Sequence, residues 1–290
     1  MELRVGCRFD YEATSSTPTI VLVEPHPSGP HGVVEERWEA EPAVTAHAFG
    51  DLYGNRSRRF VLPAGATTFG YDATIEITGE PDDVDESARQ LPVERLPDHL
   101  LHFLLASRYC QSDALSGTAW ELFGGTPPGW ARVQAICDWI HENVTYGVPS
   151  TPLTTVVDVF EARGGMCRDF AHLGVTFCRA LGIPARYTFG YMPDIGIPGP
   201  YPPMDFHAWF EAWLDDRWWT FDARFNVPRV GRVPIGHGRD AVDVAMITTF
   251  GAATLRAMRV WSDEVTDAAH AGPPAADTAT GPQAQMQVET

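Results

Sequence analysis

GGMCRDFAHLGVTFCRALGIPARYTFGY, residues 164–191, decides how the second half of this chain reads. Phe170, Leu173, Gly174, Phe177, Cys178 and Leu181 fall at i, i+3, i+4, i+7, i+8 and i+11, the apolar stripe of a helix over 167–181. Cys167 sits three residues before Phe170 and begins the same stripe in the first turn. Unpaired N–H groups and the positive dipole end at that position favour a thiolate. Gly164 and Gly165 allow a sharp turn and a close approach by a substrate backbone. The backbone N–H of Cys167 is placed to join an oxyanion hole. The competing reading is a buried structural thiol, which is the reading given to Cys178, Cys7, Cys110 and Cys137. His172 falls opposite the stripe and is expected in solvent.

Downstream, FHAWFEAWL (206–214) and RWWTFD (217–222) flank Asp215-Asp216 and read as a β-hairpin with a two-residue turn. That turn pairs Leu214 with Arg217 and Trp213 with Trp218, so Trp209 stands opposite Asp222. His207 shares a face with Trp209, because strand side chains alternate. His207 and Asp222 are then diagonal neighbours, roughly 7 Å apart at Cβ, close enough for an imidazole–carboxylate hydrogen bond. A three-residue loop would separate them to opposite faces. Taken singly, His207 reads as a core histidine and Asp222 as a strand end; the shared face joins them. A thiol, an imidazole and a carboxylate in that order form the nucleophile, base and orienter of thiol acyl transfer.

The first 80 residues read as β-structure. Residues 3–11 alternate apolar and polar, as do 73–78, and short runs at 20–23 and 59–62 lie between them among Pro and Gly. An antiparallel sandwich over about 1–90 follows. The acidic stretch Pro81-Asp82-Asp83-Val84-Asp85-Glu86-Ser87 places the boundary near 81–97. A helix is expected at 98–107. A second is expected after Thr126-Pro127, as N-cap and first helical residue, with Trp130, Val133, Ile136, Cys137, Ile140 and Val144 on one side. Strands are expected at 185–191, 206–214 and 217–222, with a later pair near 244–250 and 255–262. A catalytic unit thus covers 97–265. The segment 266–290, rich in Ala, Pro, Gly, Thr and Gln, reads as a disordered tail.

Asp and Glu number 38 against 21 Lys and Arg, a formal charge of −17. That surface repels phosphate backbones and anionic lipid, so neither nucleic acid nor a membrane surface is an expected partner. No apolar run of about 18 residues exists, and Met1-Glu2-Leu3-Arg4 does not open a signal segment. Five widely spaced cysteines without CxxC suit reduced thiols in a cytoplasm rather than a disulfide framework or zinc site. GxSxG, GxxxxGK[ST], HExxH and GxGxxG are absent, and His141-Glu142 lacks a second helical His. No metal and no cofactor are expected. Arg168-Asp169 reads as a structural ion pair, Arg239-Asp240 as a loop clasp, and Trp213 with Trp218 as cross-strand packing.

At these residues the chain resembles the transglutaminase-like superfamily, in particular its bacterial cysteine protease group. The segments that carry the resemblance are 164–191, DFHAWFEAWLDDRWWTFDAR (205–224), more weakly GRDAVDVAMITTFG (238–251), SRYCQSD (107–113) and the helix at 130–146. The resemblance implies an α+β fold with a papain-like core, the Cys helix packed on an antiparallel sheet, preceded by a β-sandwich-like domain. It implies Cys167 as nucleophile, His207 as general base and Asp222 as third member. The implied chemistry is attack on a peptide, protein or small amide, a thioester intermediate, then release to water or an amine. Two alternatives stand beside hydrolysis: a biosynthetic transamidase using a specific amine, and a non-catalytic binding module that keeps the fold. No EF-hand loop indicates calcium dependence. Tyr109, Gln111, Tyr146 and Tyr191 are candidates for the oxyanion donor or the cleft wall.

Overall fold

The computed structural model describes residues 1–199 and 203–265, and the backbone of 287–289. The chain opens with six strands: β1 (Glu2–Ala13), β2 (Thr17–Val21), β3 (His31–Glu41), β4 (His47–Gly50), β5 (Arg56–Leu62) and β6 (Gly65–Ile77). Short 3-10 turns at Val93–Arg95 and Asp98–Leu104 precede α1 (Ser116–Phe123), α2 (Trp130–Asn143), β7 (Thr145–Tyr146) and α3 (Val156–Ala162). Then come β8 (Gly164–Gly165), α4 (Cys167–Ala180), β9 (Ala185–Tyr191), β10 (His207–Leu214), β11 (Arg217–Phe221) and β12 (Val233–Gly238). The chain returns through β13 (Ile247–Thr249) and β14 (Ala253–Glu264), and β15 (Gln287–Glu289) lies parallel to β13. The rest of the tail expected at 266–290 lies outside the described residues.

Along β1 the odd-numbered Leu3, Val5, Cys7, Phe9, Tyr11 and Ala13 are buried, as the alternation requires. One sheet runs β14-β1-β6-β3 and a second β15-β13-β2-β5-β4. Their apolar faces meet where Phe60 stands edge-on to Phe69 at 5.1 Å, with Trp38 and Phe9 against the same ring. This sandwich is not confined to the first 90 residues. β13 and β14, expected in the catalytic unit, pair instead with β2 and β1. β1 is twelve residues long and would otherwise offer an open edge, which β14 covers.

The third sheet runs β11-β10-β9-β12, all antiparallel. α4 lies across it. A Cβ at Gly174 would stand 2.3 Å from the Phe210 ring, so only glycine lets helix and sheet close. Along the same stripe Phe177 meets Phe123, Trp139 and Phe160 edge-on, joining α1, α2 and α3, while Tyr109, Tyr187 and the Ala241 segment close over the opposite face. Covered on both sides, α4 buries 13 of its 14 residues. His172 is therefore buried and not solvated. It stacks between Tyr109 and Tyr187 and accepts the Ala241 N–H at Nε2. Burial pushes its imidazole down to about 3.

Two helix boundaries differ from the sequence reading. α2 begins at Trp130 rather than after Thr126, because Gly129 turns with φ 107° and passes hard against the Ala88 carbonyl. The segment 98–107 winds as a 3-10 turn over 98–104. The linker at 81–97 is docked on the second half. Pro81 bridges to Val230, and Asp82 exchanges backbone and side-chain hydrogen bonds with Arg229. No described helix is long and apolar enough to cross a membrane.

Candidate active site

β8 pairs in parallel with β7 and delivers the chain into α4. A Cβ at Gly165 would stand 2.7 Å from the Asp169 Cβ, and one at Gly164 2.6 Å from Val148. Both glycines are thus required by the tight entry to the helix. Asp169 accepts the Met166 N–H at 2.9 Å and pairs with Arg168 at 3.0 Å. Arg168 continues to Ser150 Oγ and the Thr151 carbonyl, so this pair is a loop clasp, as expected. Cys167 begins α4, with 8% of its surface exposed.

Burial pushes the Cys167 thiol up to about 11, against the pull of the Arg224 charge and a hydrogen bond from the Ala208 backbone. Burial thus opposes the thiolate that the helix terminus was expected to favour. The contact with Ala208 also sets the sulfur beside the residue that follows His207 on β10.

The hairpin has the anticipated register, Leu214 with Arg217 and Trp213 with Trp218. Trp213 and Trp218 meet edge-on at 5.3 Å. His207 Nε2 lies 2.7 Å from Asp222 Oδ2, both side chains being almost fully buried. Burial lowers His207 below the usual imidazole value, reinforced by Arg232 and Arg224 and opposed by Asp222. Burial alone would raise Asp222, but the charges and hydrogen bonds of His207 and Arg232 hold it well below the usual carboxylate range. The resting pair is thus a neutral imidazole donating Nε2–H to an ionised carboxylate, with Nδ1 as its acceptor nitrogen.

Three residues at this site were not singled out by the sequence. Arg232 Nη2 donates to Asp222 Oδ2 at 2.9 Å, while its Nε donates to Asp82 Oδ2 at 2.8 Å. The linker's Asp82 is thereby one residue removed from Asp222. Arg224 places Nη1 3.4 Å from His207 Nδ1, with its guanidinium 3.9 Å above the Tyr146 ring. Only the position of Arg224, two residues after Asp222, offered a signal. Arg232 and Asp82 are 150 residues apart and no spacing joins them.

The four weaker candidates divide. Tyr146 stands half-exposed beside Arg224 and Phe170 at the start of α4. Gln111 keeps a buried Oε1 without a partner among the described residues. Tyr109 donates its hydroxyl to the Pro152 carbonyl at 2.5 Å and stacks on His172, which makes it a packing residue. Tyr191 is fully buried, donates to the Val23 carbonyl at 2.8 Å and does not line a cleft, because the amino-terminal sandwich covers that strand end. Arg239 pairs with Asp243, and Asp240 accepts the Tyr109 N–H, a loop clasp as expected. All five cysteines are free and buried.

Residues 118–223 match the family model described as the transglutaminase-like superfamily. A candidate cysteine protease from Cytophaga hutchinsonii, solved by crystallography, shares 34% identity, covers 92% of each chain and superposes with a TM-score of 0.82. The chain belongs to the transglutaminase-like superfamily. An uncharacterised protein of Mycobacterium leprae is 25% identical over 250 residues, 83% of this chain and 88% of its own length. One of Mycobacterium tuberculosis is 28% identical over 233 residues, 73% of this chain and 74% of its own. The region matched to the transglutaminase-like model contains Cys167, His207 and Asp222 but ends one residue before Arg224. Membership of this superfamily, with a cysteine-protease candidate alike over almost the whole length, supports a thiol-dependent enzyme.

Proposed function

We propose that this protein is a thiol acyl-transfer enzyme that cleaves or exchanges peptide or isopeptide amide bonds through a thioester on Cys167. One observation carries the reading: His207 donates Nε2–H to ionised Asp222 at 2.7 Å, which leaves Nδ1 as the proton acceptor. In the first step the thiol proton passes to His207 Nδ1 as sulfur bonds to the substrate carbonyl carbon. The resulting imidazolium is held by Asp222 and then protonates the departing amine as the C–N bond breaks. Water, deprotonated by the same nitrogen, attacks the thioester and restores the thiol. Because the thiol and the imidazole are both neutral at rest, proton transfer and attack are coupled. Water is the default acceptor. The chain has no lysine side chain, so its own side-chain amines do not compete.

Incubation with a cell extract followed by mass spectrometry tests the assignment. An acyl adduct on the Cys167 peptide is expected in wild type and not in Cys167→Ala. Equal adduct in both proteins would remove Cys167 from the nucleophile role.

A further inference from the structure

Among the described residues, no acidic side chain forms an ion pair with the Arg224 guanidinium. Its backbone is fixed: the N–H donates to Asp222 Oδ1 at 3.0 Å, and its carbonyl lies 3.0 Å from His141 Nδ1. Its guanidinium rests on two aromatic rings, 3.9 Å from Tyr146 and 4.5 Å from Phe225. Stacking of this kind holds a guanidinium flat and strips part of its water. Of the neighbouring arginines, Arg232 pairs with Asp82 and Asp222 and Arg168 with Asp169, whereas Arg229, away from His207 Nδ1, donates to the Pro193 carbonyl. Arg224 has no ion-pair partner among the described residues. Arg224 acts on Asp205 and Asp194 through its charge, without a hydrogen bond to either.

Its position matters as much as its isolation. Arg224 lies on the Nδ1 side of His207, opposite the Nε2 held by Asp222, and it is the strongest charge favouring the Cys167 thiolate. The same charge disfavours protonation of His207, the step that thiol attack requires. An anion placed against Arg224 would remove that conflict by making His207 easier to protonate. A guanidinium fork matches a carboxylate in two parallel hydrogen bonds.

We propose that Arg224 receives a carboxylate of the substrate, and that the substrate class is an amide bearing a carboxylate one or two bonds from the reacting centre, such as a peptide's terminal residue or an acidic amide. This deepens the acyl-transfer reading and rests on it.

Two alkylating reagents separate the contributions. Iodoacetate and iodoacetamide react at the same carbon and release the same iodide; only the first carries a carboxylate beside that carbon. In both, sulfur forms the new C–S bond, iodide leaves with its electron pair, and the thiol proton passes to His207. Rates are read at the Cys167 peptide by mass spectrometry, in the full chain and in the chain unfolded in urea. The iodoacetate-to-iodoacetamide ratio is expected to be at least about tenfold higher folded than unfolded, the size of one charge-assisted contact. Arg224→Gln should return the ratio to within about threefold of the unfolded value, and Arg224→Lys should keep part of the preference. A folded ratio equal to the unfolded one overturns the proposal. So does an equal loss for both reagents in Arg224→Gln, since that leaves Arg224 a role on the thiol alone. The underlying reading has its own control: if His207→Ala alkylates Cys167 as fast as wild type with both reagents, acyl transfer by this pair fails, whatever the ratio does.

Discussion

Asp222 Oδ2 accepts from both His207 Nε2 and Arg232 Nη2, while Oδ1 accepts the N–H groups of Arg224 and Phe225. The carboxylate is saturated with donors, which fixes the imidazole tautomer as well as its orientation. Asp222→Asn keeps the shape but can present its amide nitrogen to His207, and it weakens the hold on an imidazolium. Formation of the Cys167 adduct should fall about 10²–10⁴-fold with the fold intact by circular dichroism. An unchanged rate would take Asp222 out of the machinery. Buried histidines set the acid limit of stability. Burial lowers His172 to about 3 and His237 to about 2, below the 6.5 of an exposed imidazole. The unfolded chain therefore binds these protons first as pH falls, so stability is intact above about 6.5 and declines towards 3, by about 1.4 kcal/mol per pH unit for each histidine. Urea midpoints between pH 7.5 and 5 measure the slope, and His172→Gln should remove about one proton from it. A midpoint that does not move with pH would contradict this.

At the scale of elements, α4 is the piece on which the site stands, and its contact with β10 depends on Gly174. Gly174→Ala would press a methyl group into the Phe210 ring, itself fully buried. Overpacking should outweigh the better helix propensity of alanine, for a net loss of about 1–2 kcal/mol. Gly117, on the exposed side of α1, has nothing within 4 Å of a built Cβ. Gly117→Ala should instead be neutral or gain up to about 1 kcal/mol. Thermal unfolding of the two variants compares them, and a stabilised Gly174→Ala would mean that α4 and β10 are not closely packed.

Across the whole molecule, the two halves are joined by a chain of charges as well as by the returning strand. Asp82 reaches Arg232, Arg232 reaches Asp222, and Asp222 reaches His207. The side chain of Asp82 is 14% exposed and that of Arg232 6%, so water screens this pair little. Asp82→Asn should cost about 1–3 kcal/mol. A double-mutant cycle with Arg232→Met should give a coupling above about 1 kcal/mol. A coupling near zero would mean that the linker only lies against the second half.

The fold class and the His207–Asp222 pair were legible because both follow from local periodicities. A two-residue turn fixes the strand register, and the register fixes which side chains share a face. α4 was legible for the same reason, through its apolar stripe. What encloses the helix was not. The stripe predicts one buried face and cannot tell that Tyr109, Tyr187 and the Ala241 segment cover the other, so His172 was expected in water and is buried. Likewise the composition of 247–264 marks strands but not their partners, and the open edge of β1, more than 240 residues away, claims the second of them. The sequence by itself determined a cysteine at a helix start and a histidine with its carboxylate on one hairpin, because those relations span few residues. Only the tertiary structure decided the burial of the Cys167 thiol, the hold of Arg232 on Asp222 and the lack of an ion pair at Arg224 among the described residues. Desolvation and ion pairing depend on which distant segments meet, and no local pattern records that.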